Sequence, residues 1–112
     1  MTAEVVGSLV YAPERRGTPL VVVLGHQNCG AVTAALQGMT NPALRKSPGI
    51  GVLLKLLGPG LKDVDKQLPK AKRVAAGVEA NVRWSVRRLL KHPAGKPLSL
   101  KTNVTSSVVF IR

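Results

Sequence analysis

Apolar residues along this chain fall into a few runs whose spacing predicts strands and helices. Residues 20–24 form an apolar run around three β-branched valines, without polar alternation, directly after the turn residues at 17–19. Such a run is typical of a short strand that is buried on both faces, as in parallel sheets. A second apolar run at 104–111 predicts another strand, although threonine and serine interrupt it.

Three of the predicted helices lie in the first half of the chain. The spacing at 5–12 predicts a helix that ends at Pro13, because proline lacks an N–H group and clashes with the preceding turn. Small residues at 30–37 predict a helix directly after the first strand. Three prolines and several glycines break the segment 38–60, which is therefore expected to be a loop with one short helix at 50–57.

The longest helix is predicted over Lys70–Lys91, where one apolar stripe recurs at steps of three and four residues. The stripe consists of Val74, Val78, Val82, Val86 and Leu89. On the other side lie Arg73, Arg83, Arg87 and Lys91, with Trp84 among them. Cations beside an aromatic ring are able to bind a nucleic-acid strand, but a single tryptophan gives that reading little support. We therefore expect a solvated basic face.

Together these elements predict the α/β class, with a small parallel sheet flanked by helices. A chain of 112 residues is long enough for one domain and for a buried core, and its 45% hydrophobic content is that of a globular protein.

No stretch has the length and apolarity of a membrane span, and the N-terminus lacks the pattern of a secretory signal. A single cysteine excludes an internal disulfide and fits a reducing compartment, so the cytoplasm is the expected location.

The net charge of +12 is unevenly distributed along the sequence. Up to residue 60, five basic residues face two acidic ones, whereas beyond it twelve basic residues face three acidic ones. Such a charge attracts polyanions in a salt-dependent way. A basic nucleic-acid-binding module is therefore an alternative hypothesis, which rests on charge alone.

The residues with the clearest chemistry are His26 and Cys29, which lie three positions apart between the first strand and the following helix. The carboxyl end of a strand is the usual place for a site in an open α/β sheet. An imidazole and a thiolate can converge there on one soft cation, and zinc takes nitrogen and sulfur ligands. The alternative is a polar turn with an inert buried thiol. Gln27 and Asn28 are expected to fill the turn, with Asn28 able to cap the helix.

The sequence around this turn, P-L-V-V-V-L-G-H-Q-N-C-G-A-V-T-A-A at 19–35, resembles the zinc-binding segment of β-class carbonic anhydrases. The segments G-S-L-V-Y-A at 7–12 and E-A-N-V-R at 79–83 are similar to the helices on either side of it in that family. The resemblance covers about residues 5–92, whereas the tail at 93–112 diverges. It implies a zinc enzyme for the reversible hydration of carbon dioxide to bicarbonate. His26 and Cys29 match two of three protein ligands, and Gly30 matches the glycine whose backbone lies beside the metal-bound water.

The chain also departs from the family pattern. The family carries a Cys-x-Asp-x-Arg strand before this segment, which supplies another zinc cysteine and an Asp–Arg pair, whereas Cys29 is the only cysteine here. We therefore expect a truncated single domain, 1–112, whose zinc site is incomplete within one chain and whose catalysis is impaired or absent. Asp63, Asp65 and His92 are the other available donors, although no pattern places them near the turn.

The missing strand has a structural consequence as well. Without it the neighbouring strand edge is left open, and an open edge pairs readily with another chain. The expected partners are a second copy of the chain or a complete β-carbonic anhydrase subunit. A non-catalytic relative that acts as such an interaction partner is the main alternative to an enzyme.

Overall fold

A computed structural model describes residues 3–16, 21–93 and 108–111, which are mostly helical. In chain order the elements are α1 (Ala3–Arg16), β1 (Val21–Leu24), α2 (Gly30–Thr40), a short 3₁₀ helix (Leu44–Lys46), α3 (Pro48–Leu61), α4 (Lys70–Lys91) and β2 (Val108–Ile111). None of the helices in these ranges combines the length and the hydropathy that a bilayer span requires.

The two strands pair with each other, and their orientation differs from the prediction. Val21 lies opposite Ile111 and Leu24 opposite Val108, so β1 and β2 are antiparallel rather than parallel. The α/β prediction therefore holds only in part, as a helical protein with one strand pair in the described ranges. Residues 20 and 104–107, which were predicted to belong to these strands, lie outside the described residues.

Burial of β1 also differs from the prediction of a strand buried on both faces. Val23 packs against a helical core, whereas Val22 and Leu24 are exposed, Leu24 by 70% of its surface. Successive side chains of a strand point to opposite faces, so this alternation means that one face of β1 is covered and the other is not. An antiparallel ribbon can leave a face uncovered, whereas a parallel sheet is normally covered on both.

Three helices are longer than predicted, because proline and glycine do not end them where the sequence pattern indicates. α1 continues through Pro13, whose fixed φ suits a helix at the cost of one hydrogen bond. α3 covers residues 48–60 of the segment expected to be mostly loop, because Pro48 occupies its first turn, where the lost N–H has no partner anyway. Pro59 lies in its last turn. α2 extends through Gly38 to Thr40.

The chain divides into two compact units, and each has its own core. Unit 1 comprises Met1–Leu24 with Val82–Arg112, and its buried cluster of Val82, Val86 and Leu89 packs with Leu9, Val23 and Leu90. Unit 2 is Gly25–Asn81, and its buried cluster consists of Val32, Ala35, Leu36, Leu61 and Val78. The predicted stripe of α4 is confirmed, since four of its five residues are buried and Val74 is half-buried.

Candidate metal centre

The connection between β1 and α2 is five residues long and carries both predicted zinc ligands. Its sharp turn depends on Asn28, whose φ of 53° lies in the left-handed region. Asparagine tolerates that conformation better than most residues with a side chain. Asn28 thus fills the turn as predicted, but it does not cap α2, because the residue at the N-cap is Cys29.

Cys29 is held at the start of α2 from two sides. Its carbonyl accepts hydrogen bonds from the Thr33 N–H at 3.0 Å and from the Thr33 hydroxyl at 2.8 Å. Its half-buried side chain packs against the buried cluster of unit 2 and makes no capping hydrogen bond. The thiol is free, so its sulfur is not engaged in a disulfide. Thr33 was not singled out from the sequence, although a threonine four residues after a helix start commonly bonds back in this way.

The exposed imidazole of His26 is oriented by its own backbone. Nδ1 lies 2.9 Å from the carbonyl oxygen of Gln27, which can only accept, so Nδ1 carries the proton in this contact. In the neutral ring Nε2 then holds the lone pair that a metal needs. Histidines that bind metals usually donate their other ring N–H to a carbonyl or carboxylate in this way.

Gly30 begins α2 next to Cys29 and is exposed. A Cβ built on it would meet no atom within 4 Å, so packing does not require a glycine here. The absence of a side chain instead leaves the space at the helix start open.

Two of the other proposed donors, Asp65 and His92, take part in backbone hydrogen bonds of their own segments. The Asp65 carboxylate accepts the Gln67 N–H at 2.9 Å, in the turn between α3 and α4. His92 follows the last turn of α4, and its N–H donates to the carbonyls of Arg88 and Leu89. Within the described ranges, no three or more His, Cys, Asp or Glu side chains gather in a way that could hold a metal ion. The donor types of His26 and Cys29 suit zinc, but they are two ligands where a catalytic site has three.

Ser8 and Trp84 each make a contact within their own helix. The Ser8 hydroxyl donates to the Glu4 carbonyl at 2.9 Å, which is a bond back to the preceding turn inside α1. Trp84, on the basic face of α4, has the guanidinium carbon of Arg88 4.5 Å from its ring centroid. One face of this ring is therefore already occupied by a cation of the same helix.

Comparison with known proteins agrees with the resemblance read from the sequence. A family model described as carbonic anhydrase matches residues 1–109, which extends beyond the expected 5–92. Carbonic anhydrase 2 from each of two strains of Mycobacterium tuberculosis is 50% identical over 40 residues, which are 36% of this chain and 19% of that protein. The match thus spans about a fifth of these relatives, and no solved structure matches the chain. Since the family model covers nearly all of its length, the chain belongs to the β-class carbonic anhydrase family.

Proposed function

We propose that this chain is a zinc-binding protein of the carbonic anhydrase type, acting in the reversible hydration of carbon dioxide. The observation that carries the proposal is the pair of donors at the β1–α2 connection. His26 donates through Nδ1 to the Gln27 carbonyl and thereby offers Nε2, while Cys29 stands three residues later at the start of α2. Family membership supplies the reaction class.

The protein's own residues contribute orientation rather than proton transfer in this proposal. The hydrogen bond to Gln27 restricts rotation of the imidazole, and the two bonds from Thr33 hold the backbone of Cys29. Ligands that are fixed before the metal arrives lose less conformational entropy on binding. A zinc ion held here would supply a Lewis acid that lowers the pKa of a coordinated water molecule.

A complete catalytic site requires one more protein ligand. The sequence contains one cysteine, so a site with two thiolates takes the second from outside these 112 residues. We propose that another polypeptide segment provides it and that His26 and Cys29 alone bind zinc weakly. The carbon dioxide substrate and any partner subunit belong to this proposal.

A second candidate function is a non-catalytic partner of a complete subunit. It is favoured by the exposure of Val22 and Leu24 on β1, since exposed apolar side chains are suited to packing against another chain. Co-purification with a full-length carbonic anhydrase would support this function, and a stable monomer that binds no such subunit would contradict it.

The main proposal is tested by loading the protein with Co²⁺, which takes the place of zinc and absorbs visibly when a thiolate binds it. We expect a sulfur-to-cobalt absorption band that disappears in Cys29→Ser. His26→Ala should weaken binding by more than the 10–100-fold typical of losing an outer-shell partner. His92→Ala is the matched histidine control and should bind as the parent does. Circular dichroism of each variant checks that the helices are retained.

Activity is measured separately, by stopped-flow hydration of carbon dioxide with the zinc-loaded protein. Equal rates for the parent and His26→Ala would reject zinc catalysis by this chain. If His92→Ala removed cobalt binding as fully as His26→Ala did, the assignment of the metal to the β1–α2 connection would be wrong.

A further inference from the structure

A groove in unit 2 is lined by residues of α2 and α4 and contains neither His26 nor Cys29. Its volume is about 220 Å³. The polar side chains that line it are Thr33, Gln37, Thr40, Lys70 and Arg73. Leu36 and Val74 add aliphatic surface, and no acidic residue is part of the lining.

Two cations thus border one small groove without a counter-charge. Arg73 is half-buried and Lys70 is exposed. In the described part of the chain, neither side chain makes an ion pair or a hydrogen bond. Cations of one sign around a concave surface raise the local potential, and that potential attracts an anion. Lys70 is also the first residue of α4, where the helix dipole adds partial positive charge.

The donors available to a ligand can be counted. The Thr33 hydroxyl already donates to the Cys29 carbonyl, and the Thr40 hydroxyl donates to carbonyls of its own helix. The remaining donors are the Lys70 ammonium, the Arg73 guanidinium and the Gln37 amide. Two of these three are positively charged, and a guanidinium matches the paired oxygens of a phosphate or carboxylate.

The size of the groove limits the ligand. Pockets for drug-sized molecules measure roughly 300–1,000 Å³, and this groove is smaller. A tetrahedral oxyanion with few further atoms fits this volume. We propose that the groove binds a doubly charged oxyanion, either inorganic phosphate or the phosphate group of a small metabolite. This inference does not depend on zinc or on the proposed hydration reaction.

The test is calorimetric titration of the metal-free chain with orthophosphate at low and constant ionic strength. Arg73→Gln and Lys70→Gln should each weaken binding by on the order of tenfold or more, as loss of a charge-assisted hydrogen bond does. Lys72→Gln is the matched control, because Lys72 lies on the same turn of α4, is exposed and does not line the groove. It should change the affinity less than twofold. His26→Ala should leave phosphate binding unchanged, which separates this site from the proposed zinc site.

Titrations with two different ligands distinguish the sources of the oxyanion. Equal affinity for orthophosphate and glycerol phosphate supports a site for the free ion, and tighter binding of the ester supports a metabolite phosphate. An equal loss of orthophosphate affinity in Lys72→Gln and Arg73→Gln would overturn the proposal. The affinity would then depend on the net charge of the chain and not on the residues of the groove. Binding of a single-stranded oligonucleotide without any binding of orthophosphate would overturn it as well.

Discussion

Both compact units are built on α4, but they use it in different ways. In unit 2 the helix presents Gly77, and a Cβ there would lie 2.8 Å from Val32 Cγ1 and 3.2 Å from Leu36 Cδ1. In unit 1 it presents branched side chains, with Val82, Val86 and Leu89 buried among their neighbours. Close approach at Gly77 therefore adds to the packing of buried side chains in unit 2, whereas α4 packs in unit 1 through branched side chains.

The difference bears on the candidate site. Cys29 is the N-cap of α2, and α2 packs against Gly77 through Val32 and Leu36, so little space remains in which α2 could shift. In unit 1 the described strand β1 leaves Val22 and Leu24 exposed. We infer that Cys29, the proposed ligand, belongs to the more closely packed of the two regions.

The largest expected effect comes from truncating one buried leucine in the core of each unit. Leu61 in unit 2 and Leu89 in unit 1 are both fully buried, at 0% exposure. Replacing either with alanine should cost about 2–5 kcal/mol of unfolding free energy, because the transfer free energy is lost and a cavity remains. Hydrogen exchange should then rise in α2 and α3 for Leu61→Ala and in α1 for Leu89→Ala. Equal increases throughout the chain would mean that the two cores do not act separately.

Much of the helical structure was readable from the sequence because it depends on local periodicity. The stripe of α4 repeats over its whole length, and an apolar run followed directly by G-H-Q-N-C predicted the strand, the turn and the next helix. The length of α3 was missed because Pro48 and Pro59 were read as breaks. Position within a helix decides the effect of a proline, and these two lie in the first and last turns.

Other features depend on contacts between distant segments and could not be read locally. The antiparallel pairing of β1 joins distant residues, since Val21 and Ile111 are 90 positions apart in the sequence. The groove combines residues of α2 with the first turn of α4. At the candidate metal centre, residue types identified His26 and Cys29, but the bond from His26 to Gln27 depends on side-chain rotation. Sequence spacing does not determine that rotation.

An intermediate effect is expected from adding one methyl group at matched glycines of the two units. Gly7 lies in α1 of unit 1, and a Cβ there meets nothing within 4 Å, so Gly7→Ala should stabilise by about 0.5–1 kcal/mol. Gly77→Ala brings the same gain, but its new Cβ overpacks against the buried Val32 at a cost of about 1–3 kcal/mol. This variant should therefore be less stable than the parent. Urea denaturation of both variants measures the contrast.

The glycine contrast has an internal check in a double-mutant cycle. Combining Gly77→Ala with Val32→Ala removes the methyl group that the new Cβ would meet, so the double variant should lose less stability than the two single costs predict. If the stability changes of the two single variants simply added in the double variant, Gly77 would not be a point of close approach. The contrast between the two units would then lose its main support.

The smallest expected effects compare two arginines that stabilise helices by different means. In unit 2, Arg45 donates from Nε to the Gly38 carbonyl at 2.6 Å and from Nη2 to the Met39 carbonyl at 2.8 Å, which satisfies carbonyls at the end of α2. In unit 1, the contact of Arg88 with the Trp84 ring is worth about 0.5–1 kcal/mol at an exposed site.

Arg45→Met should therefore lower the free energy of unfolding by more than Arg88→Met does, at about 1–2 kcal/mol. Two hydrogen bonds to a charged donor are lost, and the carbonyls return to water.

Neighbouring cations provide the controls. Lys46→Met and Arg87→Met change the charge by the same amount, and both residues are exposed without a side-chain partner in the described part of the chain. Chemical denaturation gives the free energies, and fluorescence of the single tryptophan reports Arg88 directly. If Arg88→Met cost as much as Arg45→Met, unit 1 would be held by polar contacts as firmly as unit 2. The uncovered face of β1 would then be the one remaining feature that distinguishes unit 1 from unit 2 in the described residues.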